Sequence, residues 1–304
     1  MVYLPIAEMP VNVLLVLLVS GVVGFVSGLV GIGGGFIMTP ALIFLGVPAP
    51  VAVATGASQI AATSFSGIMT QTRRKSVDWR MGLLLSIGGV LGSFFGVSLF
   101  QRLLAIGQLD LIVSLLYVVF LALVGGLMLA ESLSMIRGRP ALARPSLPRP
   151  LRSIAHQLPL RMRFPRSGLY ISVIPPLLLG FGVGALAAIM GVGGGFALIP
   201  AMIYLLRMPT NVVVGTSLVQ VLIVTALIVV LQSAATQTVD LVLAAMLMLG
   251  GVIGAQVGAR LGAGLKGEHI RALLGAILVA CSLKFLFDLA IEPDEFYALG
   301  TGQW

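Results

Sequence analysis

Long runs without a charged residue dominate this chain. No Asp, Glu, Lys or Arg occurs at 9–72, at 168–206 or at 208–239. A helix that crosses a membrane needs about 20 apolar residues, so the first run alone has room for three spans. The apolar windows predict ten helical segments, five in each half of the chain: roughly 12–31, 36–46, 51–71, 81–101 and 111–130, then 169–191, 196–206, 211–233, 241–259 and 271–290.

The second segment of each half is preceded by a block of glycines. The sequence GIGGGF at 31–36 returns as GVGGGF at 191–196, and a proline follows each block, at Pro40 and Pro200. A segment of about 11 residues is too short to cross a bilayer at 1.5 Å per residue. We therefore predict that each is a half-helix after a break near the bilayer midplane, where unwound backbone is tolerated only in protein or beside a cavity.

The two halves match well beyond the glycines. Thr55 and Gln59 correspond to Thr216 and Gln220, and a Val-Asp pair at 77–78 corresponds to one at 239–240. The matching glycine, proline and polar positions extend over about 75 residues per half and indicate an internal repeat. Glycines four residues apart later in each half are expected to serve close helix packing; they are Gly88, Gly92 and Gly96, with Gly250, Gly254 and Gly258. Asp78 and Asp240 are expected to cap helices.

Composition and charge narrow the class of protein. The chain is 59% apolar and 9% charged, far from a soluble domain, in which about a quarter of residues are charged. The net charge of +8 does not indicate a nucleic-acid partner, because eight arginines lie in one proline-rich stretch at 137–166. Cys281 is the sole cysteine. No catalytic constellation, metal site or cofactor site is apparent, so we expect neither an enzyme nor a cofactor.

The basic residues also predict the topology. If 131–167 is cytoplasmic and the segments alternate, 16 of the 18 Lys and Arg residues fall on the inner side. Five segments per half then make the repeats inverted. Four spans per half would give parallel repeats, with a poorer charge distribution. We predict an all-α polytopic membrane protein with two inverted repeats of about five helical segments each. Its parts are repeats at 1–130 and 168–291, a basic linker at 131–167 and a tail at 292–304.

Candidate substrate-binding groups come from the two breaks and the helices after them. Free N–H groups at a helix start favour an anion, and two such starts, near Phe36 and Phe196, are expected to face each other. Thr and Gln side chains can donate to anion oxygens, although interhelical hydrogen bonding is an equal alternative for them. The candidates are Gly31, Gly33, Gly34, Gly35, Thr55 and Gln59, with Gly191, Gly193, Gly194, Gly195, Thr216 and Gln220.

In the paired glycine blocks, the prolines after them and the Val-Asp pairs, the chain resembles the TauE/SafE family. The resemblance covers roughly 15–130 and 170–290, and the long arginine-rich linker departs from it. It implies a multi-pass carrier of the bacterial inner membrane for small anions such as sulfite, organosulfonates or related carboxylates, working by alternating access. The expected partners are the anionic substrate and lipid, with homo-oligomerisation left open. The alternative is a membrane scaffold that recruits a protein through the basic linker.

Overall fold

The structure, a computed structural model, describes residues 2–30, 35–136, 161–206, 208–262 and 267–290. Each half of the described chain has a β-hairpin followed by five helices. The first half contains β1 (Val2–Leu4), β2 (Met9–Val11), α1 (Val13–Val30), α2 (Gly35–Phe44), α3 (Ala49–Arg73), α4 (Trp79–Ile106) and α5 (Leu109–Ile136). The second contains β3 (Arg161–Phe164), β4 (Leu169–Ser172), α6 (Ile174–Met190), α7 (Gly195–Tyr204), α8 (Thr210–Ala235), α9 (Leu241–Gly262) and α10 (Gly267–Ala290).

The helices follow the predicted segments. Five of them, among the described residues, are long and apolar enough to cross a bilayer, and the chain is a multi-pass membrane protein. The short second segments are also present: α2 and α7 have 10 residues each, about 15 Å at the usual rise per residue. Large apolar side chains on the outer faces of α1, α5 and α10, such as Leu18, Leu127 and Phe287, are exposed, as expected for a surface in contact with lipid.

The two hairpins were not predicted, and they amend the all-α description. β1 pairs with β2 in antiparallel register, with Leu4 opposite Met9, and β3 pairs with β4, with Phe164 opposite Leu169. Each turn contains a residue with positive φ, Glu8 at 52° and Gly168 at 64°. Regular structure therefore reaches into both ends of the 131–167 segment, because α5 ends at Ile136 and β3 begins at Arg161. Residues 137–160 of the predicted linker and 291–304, which hold the tail, lie outside the described residues.

Helices of one half pack mainly on helices of the other. The close pairs are α1 with α9, α4 with α6, α5 with α10 and α3 with α8. The expected packing role of the spaced glycines is confirmed. A Cβ on Gly92 of α4 would lie 2.0 Å from the carbonyl oxygen of Phe181 on α6, and one on Gly254 of α9 would lie 2.1 Å from that of Gly21 on α1. Only glycine allows the backbones to approach so closely.

Candidate functional site

A stripe of polar side chains follows one face of α3. Thr55, Gln59, Thr63, Ser66 and Thr70 are spaced by three or four residues, which places them on the same side of a helix. Over 15 residues the stripe runs for about 22 Å. A continuous polar face of this length inside a membrane protein needs hydrogen-bond partners or contact with water.

The end of this stripe near Arg73 opens into a cavity of about 630 Å³. Walls from α1, α3, α8 and α9 enclose it. Three arginines, Arg73, Arg74 and Arg260, lie at its mouth, and all three are exposed. Along α3, the 11 residues from Arg74 to Thr63 correspond to about 16 Å, close to half the thickness of a hydrocarbon core. Its polar lining side chains are Ser27, Thr63, Ser66, Thr70, Gln71 and Gln256.

Gln59 lies one helical turn beyond the cavity. The hydroxyl of Thr63, which lines the cavity, donates to the backbone oxygen of Gln59 at 3.0 Å. The Gln59 amide nitrogen donates to the Ser20 hydroxyl at 3.3 Å, and that hydroxyl donates to the oxygen of Leu247 at 2.6 Å. The other amide atom, Oε1 of Gln59, is buried and has no hydrogen-bond partner among the described residues.

The matching side chain of the second half, Gln220, is even less satisfied. It is fully buried, and neither Nε2 nor Oε1 has a hydrogen-bond partner among the described residues. The amide lies against Gly89 of α4, where a Cβ would come within 2.9 Å of Nε2. A buried amide without partners is unfavourable by about 1–3 kcal/mol. Such a group calls for an explanation, and an oxygen-rich anion is one that its N–H donors would suit.

Thr55 and Thr216 already have partners in the opposite half of the chain. The Thr55 hydroxyl accepts from the backbone N–H of Asp240, and the Thr216 hydroxyl accepts from that of Asp78, each at 3.0 Å. The expectation that both aspartates cap helices is confirmed: Asp78 accepts from Met81 N–H, and Asp240 accepts from Val242 and Leu243 N–H. The hydroxyls of the two threonines thus join the halves.

The hairpins contact the same two aspartates. Oδ2 of Asp78 accepts from the backbone N–H of Ser167 at 3.0 Å and from its hydroxyl at 2.6 Å. Oδ2 of Asp240 accepts from the N–H of Ile6 at 3.1 Å. Each aspartate is therefore held by a threonine and by a hairpin turn, both from the other half.

The second glycine break is tightly packed. Gly191, Gly193 and Gly194 have φ of 67°, 70° and 73°, in the left-handed region that favours glycine. A Cβ on Gly191 would lie 2.6 Å from backbone atoms of Val53, and one on Gly194 would lie 2.3 Å from Val183. These glycines, and Gly195 after them, are buried and do not line the 630 Å³ cavity.

The first break is only partly visible, because Gly31, Gly33 and Gly34 lie outside the described residues. Gly35 begins α2, and a Cβ there would lie 2.6 Å from the oxygen of Val192 in the second break. The rings of Phe36 and Phe196, each the second residue of its short helix, have centroids 6.2 Å apart. The starts of α2 and α7 are therefore neighbours. Ile60, next to Gln59 on α3, contacts Gly35.

Sequence reasoning missed the cavity and its arginine mouth. It named Thr55 and Gln59 but did not extend the spacing to Thr63, Ser66 and Thr70. That continued polar spacing was the available signal. The opposite wall includes Gln256 and Arg260 of α9. The sequence of α9 shows no polar stripe of this length, so this wall can be identified only from the three-dimensional structure.

Comparison with known proteins identifies the family to which this chain belongs. The family model described as "Sulfite exporter TauE/SafE" matches residues 16–285. A probable membrane transporter protein of Xylella fastidiosa (strain 9a5c) is 31% identical over 272 residues, which cover 88% of this chain and 92% of the relative. The probable membrane transporter protein YjnA of Bacillus subtilis (strain 168) is 26% identical, over 89% of this chain and 98% of the relative. No solved structure matches. The scaffold alternative is not favoured by these similarities.

Proposed function

Because this chain belongs to the TauE/SafE family, whose relatives here are named membrane transporters, we propose that it is a secondary transporter of small anions. The substrates we propose are sulfite, organosulfonates or related carboxylates. Transport follows alternating access, and the binding site includes the amides of Gln59 and Gln220 near the middle of α3 and α8.

One observation carries this proposal: a polar cavity leads from one end of the helices to within one turn of the buried Gln59 amide, whose nitrogen gives one N–H to Ser20 and has a second N–H for an anion. Among the residues that the structure describes, none that lines the cavity is acidic. Positive charge at the mouth and neutral donors further in suit an anion that sheds its water gradually. Neutral donors also avoid the large cost of placing a charged side chain at membrane depth.

The packing of the two halves supports the inverted arrangement. α1 lies on α9 as α4 lies on α6, and these two pairs exchange under the repeat. The region of the second half that corresponds to the cavity is closed by an apolar cluster that includes Val97, Ala188, Val224 and Ile228. Such a molecule is open at one end and closed at the other. The arginine-rich open end is, on the distribution of basic residues, the cytoplasmic one.

The test is flux through purified protein in liposomes, with sulfite and sulfoacetate supplied with and without a pH gradient. Gln220→Met replaces the amide by an apolar chain of similar length. We expect it to lower flux at least about tenfold, the factor that corresponds to losing roughly 1.4 kcal/mol of interaction with the anion. The same variant should unfold in detergent at a temperature no lower than that of the wild type.

Gln232→Met is the matched control. Gln232 lies three turns further along α8, is also fully buried, and donates to the oxygen of Ala188 at 3.1 Å. Its replacement should reduce stability and leave flux per folded molecule unchanged. Wild-type flux in folded Gln220→Met would remove this amide from the binding site, and absence of flux for every anion in the wild type would refute the transporter proposal for these substrates.

A further inference from the structure

We propose that the mouth of the 630 Å³ cavity is an anion-collecting vestibule that favours divalent over monovalent anions. It is separate from the binding site near Gln59 and Gln220 and precedes it on the route from the open end. This inference rests on the proposed function, since it assigns a charge preference to the same route.

The charge of the vestibule comes from two walls. Arg73 and Arg74 end α3, and Arg260 is in the last turn of α9. No described residue of the lining is acidic, so the lining that the structure describes offers no carboxylate to the three guanidinium groups. The ion pair between Lys284 and Asp288 lies elsewhere, on α10. Three positive charges therefore lie around one opening.

Between the arginines and the floor, the walls carry neutral polar groups. The amide nitrogen of Gln256 on α9 donates to the hydroxyl of Ser66 on α3 at 3.4 Å, so the two walls are within reach of one small ligand. Thr70 and Gln71 add a hydroxyl and an amide at the same level. An anion drawn in by the arginines would meet hydrogen-bond donors before it reaches Thr63.

The preference for divalent anions follows from Coulomb's law. The attraction of a fixed set of charges is proportional to the charge of the ligand, so a dianion gains twice as much as a monoanion of the same size. Low-dielectric walls concentrate the field in a cleft. Because the three arginines are exposed, salt screens their effect, and the interaction is an attraction rather than a tight ion pair.

The arginines and hydroxyls of the vestibule are not repeated at the equivalent positions of the second half. At the offset of 161 residues that relates Thr55 to Thr216, the positions equivalent to Arg73 and Arg74 are Ala234 and Ala235. The equivalents of Thr63, Ser66 and Thr70 are Val224, Leu227 and Leu231. These five positions of the second half therefore lack both the charges and the hydroxyls of their equivalents, and the two ends differ in chemistry.

The experiment compares two sulfonates of similar size, sulfoacetate with two negative charges and isethionate with one. Flux of each is measured at low and high ionic strength in the wild type and in a triple variant, Arg73→Gln with Arg74→Gln and Arg260→Gln. In the triple variant we expect KM to rise about tenfold for sulfoacetate and about threefold for isethionate, with kcat nearly unchanged. High salt should produce the same loss of preference in the wild type.

Two controls separate the vestibule from other roles of these arginines. Arg80→Gln removes an exposed charge at the start of α4, which does not line the cavity, and it should leave both KM values unchanged. Replacing all three arginines by lysine should keep the preference. An equal effect of Arg80→Gln, or a triple variant that only unfolds more easily because two helix ends lost their compensating charges, would overturn the proposal.

A binding measurement distinguishes failure of the vestibule from failure of the transporter. In a Cys281→Ala background, Thr70→Cys places a thiol on the cavity wall, and its reaction with a thiol reagent is followed in detergent. Sulfoacetate should slow the reaction at a concentration several times lower than isethionate. Such protection without flux supports the vestibule and refutes transport of these anions. Flux with equal protection by both anions refutes the vestibule.

Discussion

At the scale of single residues, the threonines that follow the two breaks accept hydrogen bonds from backbone N–H groups of the other half. The Thr55 hydroxyl accepts from Asp240 N–H at a site where both residues are fully buried. The Gln220 amide, one helical turn after Thr216, is buried without a described partner. Removing an acceptor from a buried N–H leaves a polar group unpaired, whereas removing an unpaired amide relieves one. The two kinds of side chain should therefore respond to substitution in opposite ways.

Thr55→Val should destabilise the protein by about 1–3 kcal/mol, because the N–H of Asp240 loses its acceptor. Thr55→Ser keeps the hydroxyl and should lie close to the wild type. Thermal unfolding in detergent measures the stability, and flux per folded molecule measures transport. A normal melting temperature for Thr55→Val together with a raised KM would show instead that the hydroxyl binds substrate.

The sequence could predict part of this arrangement. Asp78 and Asp240 were assigned as caps because each opens a long apolar helix. The role of Thr55 could not be predicted, because its partner lies 185 residues away and no local spacing connects them. The unpaired state of Gln220 depends on what surrounds it in three dimensions, although its recurrence in both halves had marked the position.

At the scale of helices, close contact depends on glycines in rows. A Cβ on Gly88, Gly92 or Gly96 would lie between 2.0 and 2.5 Å from a backbone oxygen of α6. With no hydrophobic effect to join helices in lipid, this intimate packing is what holds α4 on α6. Adding even one side-chain carbon at these positions should disturb the packing of α4 on α6 along the length of the contact.

Gly92→Ala should separate α4 from α6 and lower stability by roughly 1–3 kcal/mol or more, because its Cβ would lie 2.0 Å from a backbone oxygen. Gly126→Ala is the matched control: nothing lies within 4 Å of a Cβ there. It should be neutral or slightly stabilising, since alanine is favoured over glycine in a helix by up to about 1 kcal/mol. Equal melting temperatures for the two variants would contradict the packing argument.

The helices and the glycine rows were predictable because each extends over 10 or more residues and repeats in both halves. The hairpins were not. β1 has three residues and β3 has four, too few for an alternating pattern to emerge. β3 also lies among arginines and prolines whose composition indicated a linker. Its stability comes from pairing with β4 and from the contact of Ser167 with Asp78. Neither contact can be recognised without the three-dimensional structure.

At the scale of the whole molecule, the two ends differ although the halves repeat. The end near Arg73 is open and polar, and the corresponding end of the second half is closed by apolar side chains. The sequence predicted the repeat, but it could not show which end is open. That depends on the relative positions of α3 and α8 rather than on either helix alone.

Alternating access predicts that the exposure of the two ends reverses. In a Cys281→Ala background, Thr70→Cys on α3 should react readily with a membrane-impermeant thiol reagent applied at the open end. Leu231→Cys, its equivalent on α8, should be protected. Addition of a transported anion with a pH gradient should slow the first reaction and speed the second by a few-fold each. Reactivities that never change in opposite directions would argue for a fixed channel.

Asp78 and Asp240 each have hydrogen-bond partners in the opposite half of the chain, and this has a consequence for how the protein can be divided. In the first half, the N–H of Ile6 and the hydroxyl of Thr55 form hydrogen bonds with Asp240 of the second half. In the second half, Ser167 and Thr216 form the equivalent hydrogen bonds with Asp78 of the first. Neither half contains the threonine and the hairpin turn that hold its own aspartate. Cut between the repeats, the chain would yield two incomplete pieces whose missing bonds only the other piece could supply, so the unit of folding is the pair.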